Sequence, residues 1–161
     1  MSLFVRMMCA VALVLAVPAA QAQNKVPSER ALEALVKSSL LSFNDANVTG
    51  NYTVFHAKLS KPFRDQFPVE KLEKTFQEFR DKHVDFDVIA AFKPTYDPPA
   101  RIGDNGVLEV KGWFPTEPSR LYFSLEFIPS DGEWKLIGIK VNIESSPASS
   151  DKPGKSDKPA K

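Results

Sequence analysis

The spacing of apolar side chains changes partway along this chain, from three or four residues before His83 to two residues after it. A stripe at a period near 3.6 demands helices that each bury one face, and alternation demands strands half buried on one side of a sheet. Both signals occur here, each in its own block, so the fold class read from the sequence is α+β, with helices gathered on one face of an antiparallel sheet. The first block sets Leu32, Leu35, Val36, Leu40 and Phe43 at helical spacing, with Ser28 to cap the start and Asn44 to Gly50 as the stop. A second helix is expected from near Thr49 or Asn51, carrying Tyr52, Phe55, Ala57 and Leu59 up to a break at Pro62. A third starts at Pro68, with Val69, Leu72, Phe76 and Phe79 on one side and Glu70, Lys71, Glu73, Lys74, Glu78 and Arg80 in water. Three N-terminal helices are therefore expected.

After His83, the residues Val84, Phe86, Val88, Ala90 and Phe92 alternate with Asp85 and Asp87, which predicts a first strand. The proline-rich KPTYDPPARIGDNG stretch, 93–106, suits an edge strand or a loop but not a central strand. Three further runs look like an antiparallel meander. The first sets Leu108, Val110 and Phe114 against Glu109, Lys111 and Trp113, and the second sets Leu121, Phe123, Leu125 and Phe127 against Tyr122, Ser124 and Glu126. After the turn signal at Ser130, Asp131 and Gly132, the last puts Ile137, Ile139, Val141 and Ile143 together. The reading is a curved sheet of about four strands whose apolar face meets the helices, each buried side chain contributing roughly 1.5 to 3 kcal/mol.

The same parity leaves Trp113, Tyr122, Trp134 and Leu136 on the outer face beside Glu109, Lys111, Glu126 and Lys140. Large aromatics ringed by charge have the composition of a binding surface. A homodimer through that face is expected, with a partner protein or a small apolar ligand as the other occupants.

The ends of the chain carry different signals. Arg6 precedes an apolar run from Met7 to Val17, Pro18 breaks it, and small residues at Ala20 and Ala22 complete the pattern of a cleavable signal peptide over residues 1–22, cut between Ala22 and Gln23. The run, about eleven residues, is short of the roughly 20 that a membrane-spanning helix needs. Residues 23–27 read as a short linker, 28–144 as a single domain, and 145–161 as a disordered Lys/Pro/Ser-rich tail containing the near repeat SDKPGK and SDKPAK. The only cysteine, Cys9, lies inside the apolar run and not at the junction, so the chain does not read as a lipoprotein. Its removal with the peptide would leave no thiol for a disulfide, a nucleophile or a metal. An exported domain without disulfides suits the bacterial periplasm. Without Arg6 the basic and acidic side chains balance, which argues against a nucleic-acid partner.

The order of helices, strand and long meander, closing on GEWKLIGIKVNI at 132–143, resembles the nuclear-transport-factor-2-like superfamily with its cystatin-like cone. The resemblance covers about residues 28–143. It implies a pocket between the helices and the concave sheet, which in enzyme members holds an inward acid or base such as Asp, His or Tyr. The superfamily includes isomerases, dehydratases, transport adaptors and noncatalytic domains. Here Asp85 and Asp87 fall on the polar face by parity, a departure from the enzyme pattern, and His83 reads as a cation at a helix C-terminus.

The catalytic candidates left are His56 and Tyr52. No residue spacing suggests a metal site or a cofactor, no serine sits in a nucleophile elbow, and no glycine-rich phosphate loop is present. The triplets beginning at Asn47 and Asn51 match glycosylation acceptors, a match that the bacterial setting makes accidental. The leading expectation is an exported noncatalytic binding domain. Its rivals are a small isomerase, dehydratase or hydrolase using the cone pocket, and an envelope-associated protein held by its basic tail. Polar groups converging on an open cavity would favour the enzyme, and an interior filled by apolar side chains would favour the binding domain.

Overall fold

A computed structural model describes residues 25–145. The expected signal peptide over 1–22, with its expected cleavage between Ala22 and Gln23, and all of the expected 145–161 tail beyond Ser145 lie outside the described residues. Five helices come first: α1 (Glu29–Thr49), α2 (Thr53–Lys58), α3 (Lys61–Gln66), α4 (Val69–Thr75) and α5 (Gln77–Asp81). The sheet follows, with β1 (Thr95–Tyr96), β2 (Arg101–Ile102), β3 (Leu108–Phe114), β4 (Ser119–Ser130) and β5 (Glu133–Ser145). All pairings are antiparallel in the order β1-β3-β4-β5, and β2 also pairs with β3.

The α+β class holds, and the helix count rises from three to five for local reasons. Ser28 caps α1 by accepting from the Ala31 N–H at 3.4 Å, and Gly50 ends it in the left-handed region at φ 71°. The asparagines that read as a stop are instead part of the helix: the Asn47 side-chain amide donates to the Phe43 carbonyl at 3.0 Å, and Asn44 reaches across to the segment after α5. Pro62, expected as a break, sits in the first turn of α3, where its missing N–H leaves no bond unmade. The third expected helix is divided at Phe76, whose backbone leaves helical geometry between α4 and α5.

The strand expected over Val84 to Phe92 does not form. Asp87–Ala91 is a 3-10 helix instead. The Asn44 amide donates to the Asp85 carboxylate at 2.7 Å, while the Asn44 carbonyl oxygen accepts from the Phe86 N–H at 3.0 Å. Asp85 also accepts from the Asp87 N–H at 3.1 Å, which turns the chain. Phe86 and Ile89 are thus buried from a turn pinned to α1. The proline-rich stretch supplies β1 and β2, both at the edge of β3, as its prolines require.

The core lies between the helices and the inner face of β3 and β4, where Leu108, Val110, Phe114, Leu121, Phe123, Leu125 and Phe127 are all buried as expected. Above them Phe43 is the centre of an aromatic cluster, with ring centroids 4.6 Å from Phe76, 5.5 Å from Phe55 and 5.6 Å from Phe79.

On β5 the expected parity fails partway. Phe127 pairs with Leu136 while Glu126 pairs with Gly138, so Ile137 is an extra residue in a β-bulge. Downstream of it Ile139 and Val141 pair with Leu125 and Phe123 and pack against the core as expected. Upstream every side chain changes face. Leu136 is buried rather than exposed on the outer face, and Trp134 packs against the core from the helix side.

Candidate functional site

The two catalytic candidates do not assemble a reactive centre. Tyr52 is fully buried, its hydroxyl donates to the Asn47 side-chain oxygen, and its ring lies 6.3 Å from Phe76 in a stacked arrangement. Burial pushes its hydroxyl up to about 12, against the opposing pull of Arg80 and with a further push from Glu73. A phenol held protonated this firmly is a poor base at neutral pH. His56, four residues on in α2, is half-buried, and its Nε2 sits in the interior with no hydrogen-bond partner. Neither residue lines the cleft or the groove described below.

Asp85 and Asp87 belong to the turn beside α1, and His83 follows α5 in the left-handed region at φ 51°. Asn47 is buried and already bonded, so its triplet presents no acceptor amide, whereas Asn51 is exposed and accepts from the Thr53 N–H. Among the described residues no group of three or more His, Cys, Asp or Glu could hold a metal ion, and no helix is long and apolar enough to cross a membrane.

A second buried phenol behaves like Tyr52. The Tyr96 hydroxyl lies in the interior without a partner, and burial pushes it up to about 12, assisted by Glu33 and Glu29. An acid raised in the folded state favours its protonated form there. The resulting stability is complete below the unfolded value near 10 and is lost as pH rises through about 12. Spectrophotometric titration should therefore find two of the three tyrosines ionising only as the protein unfolds between about pH 10 and 12. Full ionisation near pH 10 with the fold intact would contradict it.

The four aromatic and aliphatic residues expected on the outer sheet face divide into two sites. Trp113 and Tyr122 are cross-strand partners on that face, ring centroids 6.3 Å apart. They border a groove of about 380 Å³ that also takes in Lys111, Ser124, Lys140 and Asn142. The register lays this face out in bands. Glu109 opposes Glu126, Lys111 opposes Ser124 and through it Lys140, and Trp113 opposes Tyr122. Arg101 on β2 holds the Glu109 carboxylate at 2.7 Å.

Trp134 and Leu136, moved by the bulge, instead line a cleft of about 340 Å³ on the helix side. Leu35 and three serines of α1 form one wall, and Phe55 and Lys58 of α2 with Leu59 just after it form another. The cleft is held together where α2 ends: Leu59 bridges Leu136 in parallel, and the Ser60 N–H donates to the Leu136 carbonyl at 2.9 Å. No spacing in the sequence announces this site, because it needs residues from α1, α2 and β5 and a register shift. No protein-family model, curated protein or solved structure matches the chain.

Proposed function

We propose that this chain is an exported, noncatalytic interaction domain of the nuclear-transport-factor-2-like type, and that its outer sheet face joins two copies. The observation that carries the pairing is the banding of that face. Two copies laid face to face about a twofold axis between the acidic and basic bands set Glu109 and Glu126 of one against Lys111 and Lys140 of the other. The same operation places the Trp113 and Tyr122 band against Ile128, the outward residue two positions beyond Glu126 on β4. Charge and apolar surface are then both self-complementary. The noncatalytic reading is supported by the interior. Phe, Leu and Ile side chains fill the core between helices and sheet, and neither Tyr52 nor His56 lines the cleft or the groove.

Light scattering on the purified protein should give twice the chain mass. Trp113→Ser with Tyr122→Ser should give the monomer mass, because central aromatic anchors contribute about 2 kcal/mol or more each, roughly thirtyfold in dissociation constant. An unchanged mass in the double variant, at either value, would sink the pairing.

A further inference from the structure

The cleft beside Trp134 has a different chemistry from the sheet face, and it lies on the opposite side of the sheet. We propose that it binds a small amphiphilic anion, an alkyl chain ending in a carboxylate. The chain would lie against Leu35, Phe55, Leu59 and Trp134, and the head group would sit at Lys58. The volume of about 340 Å³ falls within the range of roughly 300 to 1,000 Å³ usual for small-ligand sites.

The polar groups around the cleft decide the class of ligand. Lys135 is already neutralised by Glu133 at 2.5 Å. The Ser38 and Ser39 hydroxyls donate to the Leu35 carbonyl at 3.1 and 2.9 Å. Among the described residues, no hydrogen bond or ion pair engages the Lys58 ammonium or the Trp134 indole N–H. Besides the Ser42 hydroxyl, which can donate or accept, the unengaged groups are thus donors, and one carries a full positive charge. They call for an acceptor that is negative, on a body that is apolar. A cationic ligand would meet Lys58 with like charge and find the one acid of the cleft, Glu133, already paired. A neutral apolar ligand would leave the lysine without a role. The inference does not rest on pairing through the sheet, since the cleft shares no residue with the Trp113 groove.

Decanoate, decanol and decyltrimethylammonium, each below its micelle threshold, test the class by equilibrium dialysis with tryptophan emission followed in parallel. Saturable binding is expected for decanoate, with emission shifted to the blue as Trp134 loses water. Trp134→Phe should remove the shift, and Trp113 on the other face should not supply one. Lys58→Gln should weaken decanoate about tenfold, the loss of one charge-assisted contact, and leave decanol unchanged. Ala31→Phe, an exposed α1 position that lines the cleft, should fill it and abolish binding while leaving the unfolding curve in place. The proposal is overturned if decanoate shows no saturable binding, if Lys58→Gln leaves its affinity unchanged, if the ammonium compound binds most tightly, or if Ala31→Phe binds as wild type does.

Discussion

Gly112→Ala is expected to destabilise the protein by about 3 kcal/mol and lower its melting temperature by on the order of 10 °C. A Cβ at this position would lie 2.0 Å from the Thr95 carbonyl oxygen and 3.1 Å from the Phe123 ring. The first distance is far inside van der Waals contact, and the obstacle is backbone rather than a side chain that can swing away. β1 must therefore move off β3, which undoes the pairing of Thr95 with Trp113 and of Tyr96 with Gly112. It also lifts Tyr96 from its edge-on contact with Phe123, ring centroids 6.4 Å apart. Thermal and urea unfolding would measure the loss. A change below about 0.5 kcal/mol would mean that β1 is free to shift and contributes little to the fold.

Phe43→Ala should cost still more, about 3 to 5 kcal/mol, the usual range for deleting a fully buried phenyl ring. Phe43 is 0% exposed and touches rings from three directions, so the cavity has no single neighbour able to collapse into it. Phe55 belongs to α2, Phe76 and Phe79 to the broken α4–α5 segment, and Phe86, at 6.2 Å, to the turn after it. The ring thereby ties α1 to α2, to the α4–α5 segment and to the turn after it. Phe67→Ala is the comparison, since Phe67 is half-buried and, among the described residues, has one ring neighbour, Phe63 at 5.0 Å. Its loss should be at least 1 kcal/mol smaller in urea unfolding. Equal losses for the two variants would show that the Phe43 cluster repacks around the gap.

Much of the fold is legible in residue spacing. The stripe from Leu32 to Phe43 folds as a helix with the cap and the glycine end that Ser28 and Gly50 announce. The alternations along β3 and β4 bury the residues that parity selects, because one face of each strand meets the helices. Less was legible where a side chain outcompetes a pattern. Val84 to Phe92 alternates like a strand, yet both polar ends of the Asn44 side chain bind this segment, and among the described residues it pairs with no strand of the sheet. Burial of Phe86 and Ile89 follows in either conformation, so the hydrophobic pattern alone does not distinguish the two.

The candidate sites were legible to different degrees for the same kind of reason. Trp113 and Tyr122 lie where parity puts them, since β3 and β4 pair without interruption from Leu108 to Phe114. Trp134 and Leu136 do not, because one extra residue at Ile137 reverses the face of everything before it. A bulge costs little local propensity and leaves no composition signal, so only the partner strand reveals it.

The sequence by itself therefore determined the long first helix, the alternation along β3 and β4 and which face of those two strands is apolar, all properties set by neighbours within a few residues. The tertiary structure alone decided the register between β4 and β5, the turn that replaces the expected first strand, and the union of α1, α2 and β5 around Trp134. Each of these depends on hydrogen bonds and packing between residues far apart in the chain, which local spacing does not encode.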